Sequence, residues 1–126
     1  MIMNNPLNIR KSTTVWHGEV RDQPGQFASF ENLEYGLRAA FVVINTYITK
    51  HGLTTIRGII NRWAPPNEND TDSYVEYVAS RMRQDADTPL RWSPKQRKEL
   101  VAAMARMESG TTVTPVTMQL AYDMSR

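Results

Sequence analysis

The chain has 126 residues, a length that fits one domain built around a single hydrophobic core. It contains no cysteine, and its two histidines have no acidic or histidine partner at a metal-binding spacing, so we predict no disulfide, no metal and no cofactor. The 15 lysines and arginines are interleaved with 13 aspartates and glutamates, and this balance, a net charge of +2, argues against nucleic acid as a partner.

Neither a targeting segment nor a membrane span is evident in the sequence. The first residues lack a basic region followed by an apolar run, and the longest apolar segment, residues 39–44, is far too short to cross a bilayer. We therefore expect a soluble protein that is made in the cytoplasm without an export signal.

The N-terminal part predicts an irregular segment followed by one small β-hairpin. Asparagines surround Pro6 in residues 4–10, a pattern typical of side chains that bond to nearby backbone. β-Branched and aromatic residues follow and are interrupted by Gly18 and by a turn signal at residues 22–25. We place the two strands near residues 14–20 and 26–30, packed on the helices, because an isolated hairpin is only marginally stable.

About five helices are predicted after the hairpin, from cap residues at their starts and from glycines or prolines at their ends. The starts lie at Asn32, at Thr54 or Thr55, at Asp70 or Thr71, at Ser93 and at Thr114. The helix from Asn32 to His51 has the widest apolar stripe, so we expect it to be the central buried helix. Gly36 lies within it, either for close packing or to leave room for a ligand near Glu34. The fold class is mainly α (α+β), in a single domain that spans residues 1–126.

Residues 62–74, R-W-A-P-P-N-E-N-D-T-D-S-Y, combine a helix stop, a polar loop and a helix start. The indole of Trp63 precedes four residues that can accept hydrogen bonds, at positions 67–70, and this combination suits a sugar ligand. The alternative is that Trp63 belongs to the core, that the two prolines form a linker, and that Asp70 or Thr71 is an ordinary helix cap.

Five motifs, in this order, resemble a family of phage and prophage proteins. They are N-N-P-L-N-I-R at residues 4–10, W-H-G at 16–18, F-A-S-F at 27–30, L-E-Y-G-L-R-A at 33–39 and I-I-N-R-W-A-P-P-N-E-N-D-T-D-S-Y at 59–74. Such proteins are described as virion structural proteins or as lysozyme-like, murein-degrading proteins. The resemblance implies a lysozyme-like fold, association with a virion or prophage, action at the cell wall, and peptidoglycan glycan strands and other virion proteins as partners.

The order of these segments is also distantly similar to bacterial cell-wall glucosaminidases of the lysozyme-like superfamily. In those enzymes the catalytic glutamate ends a helix that lies upstream of the asparagine-rich segment, and only a few residues precede that segment in this sequence. The similarity therefore implies the fold and a glycan-binding groove, but no equivalent of that glutamate.

Glycosidic cleavage needs a carboxyl that is protonated near neutral pH, commonly beside an apolar or aromatic wall. The catalytic candidates, in order, are Glu68, Glu19 and Glu34, each with a structural role as its alternative. Glu68 follows Trp63 and two prolines, Glu19 is on the predicted hairpin, and Glu34 is at a helix start that favours its charge. The predicted substrate-binding residues are Asn5, Asn8, Arg10, Trp16, Tyr35, Trp63, Asn67, Asn69 and Tyr74.

Two functions agree with these observations. The first is a lysozyme-like phage protein that binds peptidoglycan glycan strands and cleaves them locally, as a glycoside hydrolase or a lytic transglycosylase. The second is a catalytically silent virion or prophage structural protein that retains the fold.

Overall fold

A computed structural model describes residues 2–126 and contains five α-helices. They are α1 (Leu33–Thr49), α2 (Ile56–Trp63), α3 (Thr71–Met82), α4 (Pro94–Ser109) and α5 (Pro115–Met124). The prediction of a mainly helical chain with about five helices is therefore confirmed. Within residues 2–126, no helix combines the length and the apolar character that crossing a bilayer requires.

The helix boundaries follow from the capping residues. The side chains of Asn32, Thr55 and Asp70 each accept a hydrogen bond from a backbone N–H in the first turn of α1, α2 and α3. Ser93 and Gln96 form a reciprocal capping box at the start of α4. Gly110 ends α4 in the left-handed region, with φ of 70°, where glycine carries no steric penalty.

Helix α1 is the centre of the core, as its apolar stripe predicts. It packs against α2, α4 and α5, and its Leu37, Phe41 and Ile44 are fully buried. The ring of Phe41 makes an edge-to-face contact with Tyr122 of α5, with 5.5 Å between the ring centroids. Buried residues of all five helices belong to this one cluster.

The predicted β-hairpin is wrong for the described residues. Two isolated antiparallel bridges, Arg10 with Phe27 and Glu19 with Phe30, take its place. Ala28 N–H donates to the Ile9 carbonyl at 2.9 Å, whereas one residue later the Ser29 carbonyl accepts from Val20 N–H at 2.8 Å. Because residues 26–31 change partner along their length, no ladder of successive pairs forms on either side.

The β-branched residues on which the first predicted strand depended do not lie in a strand in the structure. Thr13, Thr14 and Val15 are exposed, and 66% of the Val15 surface is accessible to solvent. Their β propensity reflects a preference for half-buried pleated surfaces, and no such surface is present here.

Close packing explains Gly36. A Cβ atom at this position would lie 2.0 Å from the Asn4 carbonyl oxygen, far inside van der Waals contact. The N-terminal segment therefore crosses α1 at a point that only glycine permits. Of the two roles expected for Gly36, the structure has the packing role.

Candidate functional site

A cleft of about 440 Å³ lies between the N-terminal segment, the loop after α2 and the last turn of α4. Its lining residues are Leu7, Asn8, Arg10, Phe27, Arg62, Trp63, Ala64, Pro65, Glu68, Asn69 and Glu108. Five of the predicted site residues, Asn8, Arg10, Trp63, Glu68 and Asn69, thus come together. The cleft combines one indole with amide, guanidinium and carboxylate groups, a set that can contact both the faces and the hydroxyls of a sugar.

Glu108, in the last turn of α4, organises the floor of this cleft and was not among the predicted site residues. Its Oε2 accepts hydrogen bonds from Trp63 Nε1 at 3.0 Å and from the Tyr74 hydroxyl at 2.9 Å. Asn8 Nδ2 lies 3.2 Å from both Glu108 Oε1 and the Glu108 carbonyl oxygen. Three predicted binding residues, Asn8, Trp63 and Tyr74, therefore converge on one carboxylate.

The electrostatics of this group follow from burial and from the Glu108 charge. Tyr74 is only 5% exposed, and burial raises the pKa of its phenol well above the usual range. The negative charge of Glu108 and the hydrogen bond to it raise that pKa further. The phenol therefore remains a neutral donor, and the Glu108 carboxylate, with both oxygens accepting, is a fixed hydrogen-bond acceptor.

Asn8 and Ser109 attach the N-terminal segment to the end of α4. Asn8 has φ of 56°, in the left-handed region that asparagine tolerates better than most residues. Ser109 Oγ donates to the Pro6 carbonyl at 2.8 Å. These contacts fix the wall of the cleft that faces Glu108.

Glu68 and Asn69 also line the cleft, on a short loop anchored at Pro65. The Pro65 carbonyl accepts hydrogen bonds from Glu68 N–H and from Asn69 Nδ2, each at 3.1 Å. Thr71 Oγ1 closes the loop by donating to the Ala64 carbonyl at 2.6 Å. The Glu68 side chain is exposed, and within residues 2–126 its carboxylate has no hydrogen-bond or ion-pair partner.

The other candidate acids and binding residues do not line the cleft. Glu19 is held by Arg21 Nη1 at 3.0 Å, and its side chain is only 1% exposed. Glu34 is half-buried in the first turn of α1, and Asn67 is an exposed residue of the loop. Glu19, Glu34 and Asn67 thus remain predictions without a geometric link to the cleft.

Asn5, Trp16 and Tyr35 serve the packing of the N-terminal segment. Asn5 Nδ2 donates to the carbonyls of Ile9 and Ala28, both at 2.8 Å, and its Oδ1 accepts from Ile9 N–H. Trp16 and Tyr35 pack against a small second cluster beside the main core. These residues position the wall that carries Asn8 and Arg10.

One local signal in the sequence points to Glu108. A negative charge in the last turn of a helix interacts unfavourably with the helix dipole. Glu108 lies two positions before Gly110, which ends the helix, so its carboxylate is expected to need hydrogen-bond donors that compensate this effect. Its partners, however, are 34, 45 and 100 residues away along the chain, and no local pattern identifies them. Within residues 2–126, no group of three or more acidic or histidine side chains could hold a metal ion.

Comparison with known proteins shows that the chain is similar to a phage protein. No protein-family model matches the chain. The chain is 37% identical over 112 residues to Protein P5 of Pseudoalteromonas phage PM2, and the aligned part covers 86% of this chain and 69% of the phage protein.

Proposed function

We propose that this chain, which belongs to the same family as Protein P5 of Pseudoalteromonas phage PM2, is a virion- or prophage-associated lysozyme-like protein that binds peptidoglycan glycan strands and cleaves them locally. The observation that carries the proposal is the cleft, in which Trp63 lies among the polar side chains of Asn8, Glu68, Asn69 and Glu108. A carbohydrate needs this mixture, because its rings have apolar faces and its hydroxyls need hydrogen-bond partners.

Trp63 is suited to be the platform for a sugar ring. Its Nε1 is held by Glu108, so the indole has a fixed orientation, and the residue is half-buried at the surface of the cleft. A preorganised aromatic ring loses little side-chain entropy when it binds a ligand. Asn8 and Asn69, which line the same cleft, supply amide groups for sugar hydroxyls.

Cleavage would use Glu68 as the general acid. Its carboxyl has no partner in the described structure, so it is available to protonate the oxygen of the leaving sugar. A glycan that covers the cleft would exclude water from the space beside this carboxyl. The fixed Glu108 carboxylate would contribute negative charge near the developing positive charge on the sugar.

The test is digestion of purified sacculi, followed by turbidity and by chromatography of the released muropeptides. A positioned general acid contributes about 100- to 10,000-fold in rate, so Glu68→Gln should lose at least about 100-fold in digestion while its melting temperature stays unchanged. Glu76→Gln, an exposed carboxylate on α3 outside the cleft, is the matched control and should digest as the wild type does. Equal digestion by Glu68→Gln and the wild type would refute the assignment of Glu68.

A catalytically silent phage structural protein is the second candidate. Two observations support it: the Glu68 side chain is exposed, and both oxygens of the Glu108 carboxylate already accept hydrogen bonds. This arrangement is more typical of a binding surface than of two carboxyl groups that transfer protons. This candidate predicts that the wild type sediments with sacculi without releasing muropeptides. Trp63→Phe should then weaken co-sedimentation. Trp92 is buried and does not line the cleft, so its fluorescence should not change when a sugar binds.

A further inference from the structure

A smaller cavity of about 220 Å³, here called the side compartment, adjoins the cleft. Asn8, Arg10 and Trp63 line both cavities. The remaining walls of the side compartment are Ile9, Val43 and Tyr47. Because three residues are shared, the cleft and the side compartment are neighbours on either side of these residues, and the two together are here called the groove.

The two parts of the groove differ in chemistry. Both carboxylates, Glu68 and Glu108, line the cleft, whereas Arg10 is the only charged residue that lines the side compartment. The guanidinium carbon of Arg62 lies 5.2 Å from the centre of the Tyr47 ring and adds a second positive charge beside that wall. The side compartment therefore favours a small group that is partly apolar and negatively charged.

Arg10 has the geometry of a receptor for an external anion. Within residues 2–126, no carboxylate forms an ion pair with it, although Arg21 pairs with Glu19 and Arg57 pairs with Asp87. Its backbone is nevertheless fixed, because Arg10 is bridged to Phe27 and the neighbouring Ile9 carbonyl accepts from Ala28 N–H. A guanidinium fork on a fixed backbone can bind a carboxylate through two parallel hydrogen bonds.

Resting on the proposed function, we propose that the side compartment binds the carboxylate-bearing branch of the muramic acid unit, with Arg10 as the residue that selects it. In peptidoglycan, this branch is a lactyl group, usually extended by a peptide, and it projects from a ring next to the glycosidic bond. With the ring on Trp63, the methyl group of the branch contacts Ile9 and Val43, and its carboxylate meets Arg10. The groove thus distinguishes peptidoglycan from chitin, whose sugars carry no such branch.

The experiment compares ligands by titration calorimetry on the full chain. The probes are chitotetraose, the N-acetylglucosaminyl–N-acetylmuramic acid disaccharide with a free lactyl carboxylate, and the same disaccharide carrying a tripeptide. The proteins are the wild type, Arg10→Gln, Arg10→Lys and, as a matched control, Arg91→Gln, an exposed arginine that lines neither part of the groove.

Arg10→Gln should lower the ratio of the affinity for a muramyl ligand to the affinity for chitotetraose by about tenfold or more, as expected for one charge-assisted hydrogen-bonded pair. Arg10→Lys should retain part of the preference because it keeps the charge without the fork. If Arg10→Gln already loses affinity for the peptide-free disaccharide, Arg10 binds the lactyl carboxylate. If the loss requires the tripeptide, Arg10 binds a carboxylate of the peptide. Both results support the proposal.

Two results would overturn it in distinguishable ways. If the wild type binds chitotetraose and both muramyl ligands, and Arg10→Gln keeps the same ratio of affinities, the assignment of Arg10 is wrong while glycan binding stands. If the wild type binds none of the three probes, the glycan-binding function fails together with this inference.

Discussion

The Glu108 carboxylate holds Trp63 and Tyr74 through Oε2 and Asn8 through Oε1. Glu108→Gln replaces one acceptor oxygen with an NH₂ group, which leaves a donor facing a donor at Asn8 or at the indole. Because hydrogen bonds to charged groups are worth roughly 1.5–3 kcal/mol, we expect a loss of about 1–3 kcal/mol in the free energy of unfolding. Urea denaturation measures it.

Glu99→Gln is the matched control for that substitution. Glu99 is half-buried on the same helix and its side chain has no hydrogen-bond or ion-pair partner in the described structure. Its replacement should change the stability by less than about 0.5 kcal/mol. Equal losses for the two variants would show that the Glu108 contacts do not stabilise the fold.

Tyr74 predicts a specific loss of stability in alkali. Its pKa is raised in the folded state above the ordinary value of 10.0, chiefly by burial. Above pH 10 the unfolded chain releases the phenol proton, whereas the folded chain retains it. The contribution of Tyr74 to the free energy of unfolding is therefore complete below about pH 10 and is lost as the pH rises further. Above pH 10 the stability of the wild type should therefore fall more steeply than that of Tyr74→Phe, with a difference in slope that approaches about 1.4 kcal/mol per pH unit.

Urea denaturation between pH 8 and pH 11 tests this slope, and Tyr77→Phe, half-buried on the same helix, controls for removing a phenol from the unfolded chain. Parallel pH profiles of the wild type and Tyr74→Phe would contradict the prediction. The absolute stability of Tyr74→Phe should also be lower near neutral pH, because Glu108 Oε2 loses one of its two donors.

At the scale of elements, the crossing of the N-terminal segment over α1 depends on Gly36. Gly36→Ala gains up to about 1 kcal/mol in helix propensity. The new methyl group would, however, lie 2.0 Å from the Asn4 carbonyl, and backbone cannot yield as a side chain can. We expect a net loss of roughly 1–3 kcal/mol, the usual cost of overpacking, measured by thermal unfolding.

Gly58→Ala in α2 is the control for this substitution. A Cβ at that position would meet the Thr55 hydroxyl at 3.1 Å and a Leu53 methyl at 3.6 Å, and both are side-chain atoms. The propensity gain should then offset most of the crowding, so its melting temperature should stay close to that of the wild type. A Gly36→Ala variant as stable as Gly58→Ala would mean that the N-terminal segment shifts freely on α1.

The helices could be predicted from the sequence because their determinants are local. The Asn32 cap, the Ser93 capping box and the Gly110 stop each act within a few residues, and all three are present in the structure. The pairing of residues 26–31 could not be predicted in the same way, since its partners come from two separate segments. Similarly, Trp63 and Glu68 were found from one stretch of sequence, whereas Glu108 joins the cleft only through tertiary packing.

At the scale of the whole molecule, stability depends on the core around α1. Phe41 is fully buried and contacts Tyr122, so Phe41→Ala leaves a cavity that neighbouring helices can fill only in part. We expect a loss of roughly 3–5 kcal/mol in the free energy of unfolding, measured by urea denaturation. Val15→Ala, at an exposed position, is the control and should be nearly neutral.

The Glu108 contacts also determine when the cleft is formed. Its partners are 34, 45 and 100 residues away, and closing loops of such length costs entropy that contacts within a helix do not. On the ribosome, Asn8, Trp63 and Tyr74 are all synthesised before Glu108. We therefore expect the cleft to be completed only after Glu108 has been synthesised, so that partly synthesised chains contain its walls without its floor.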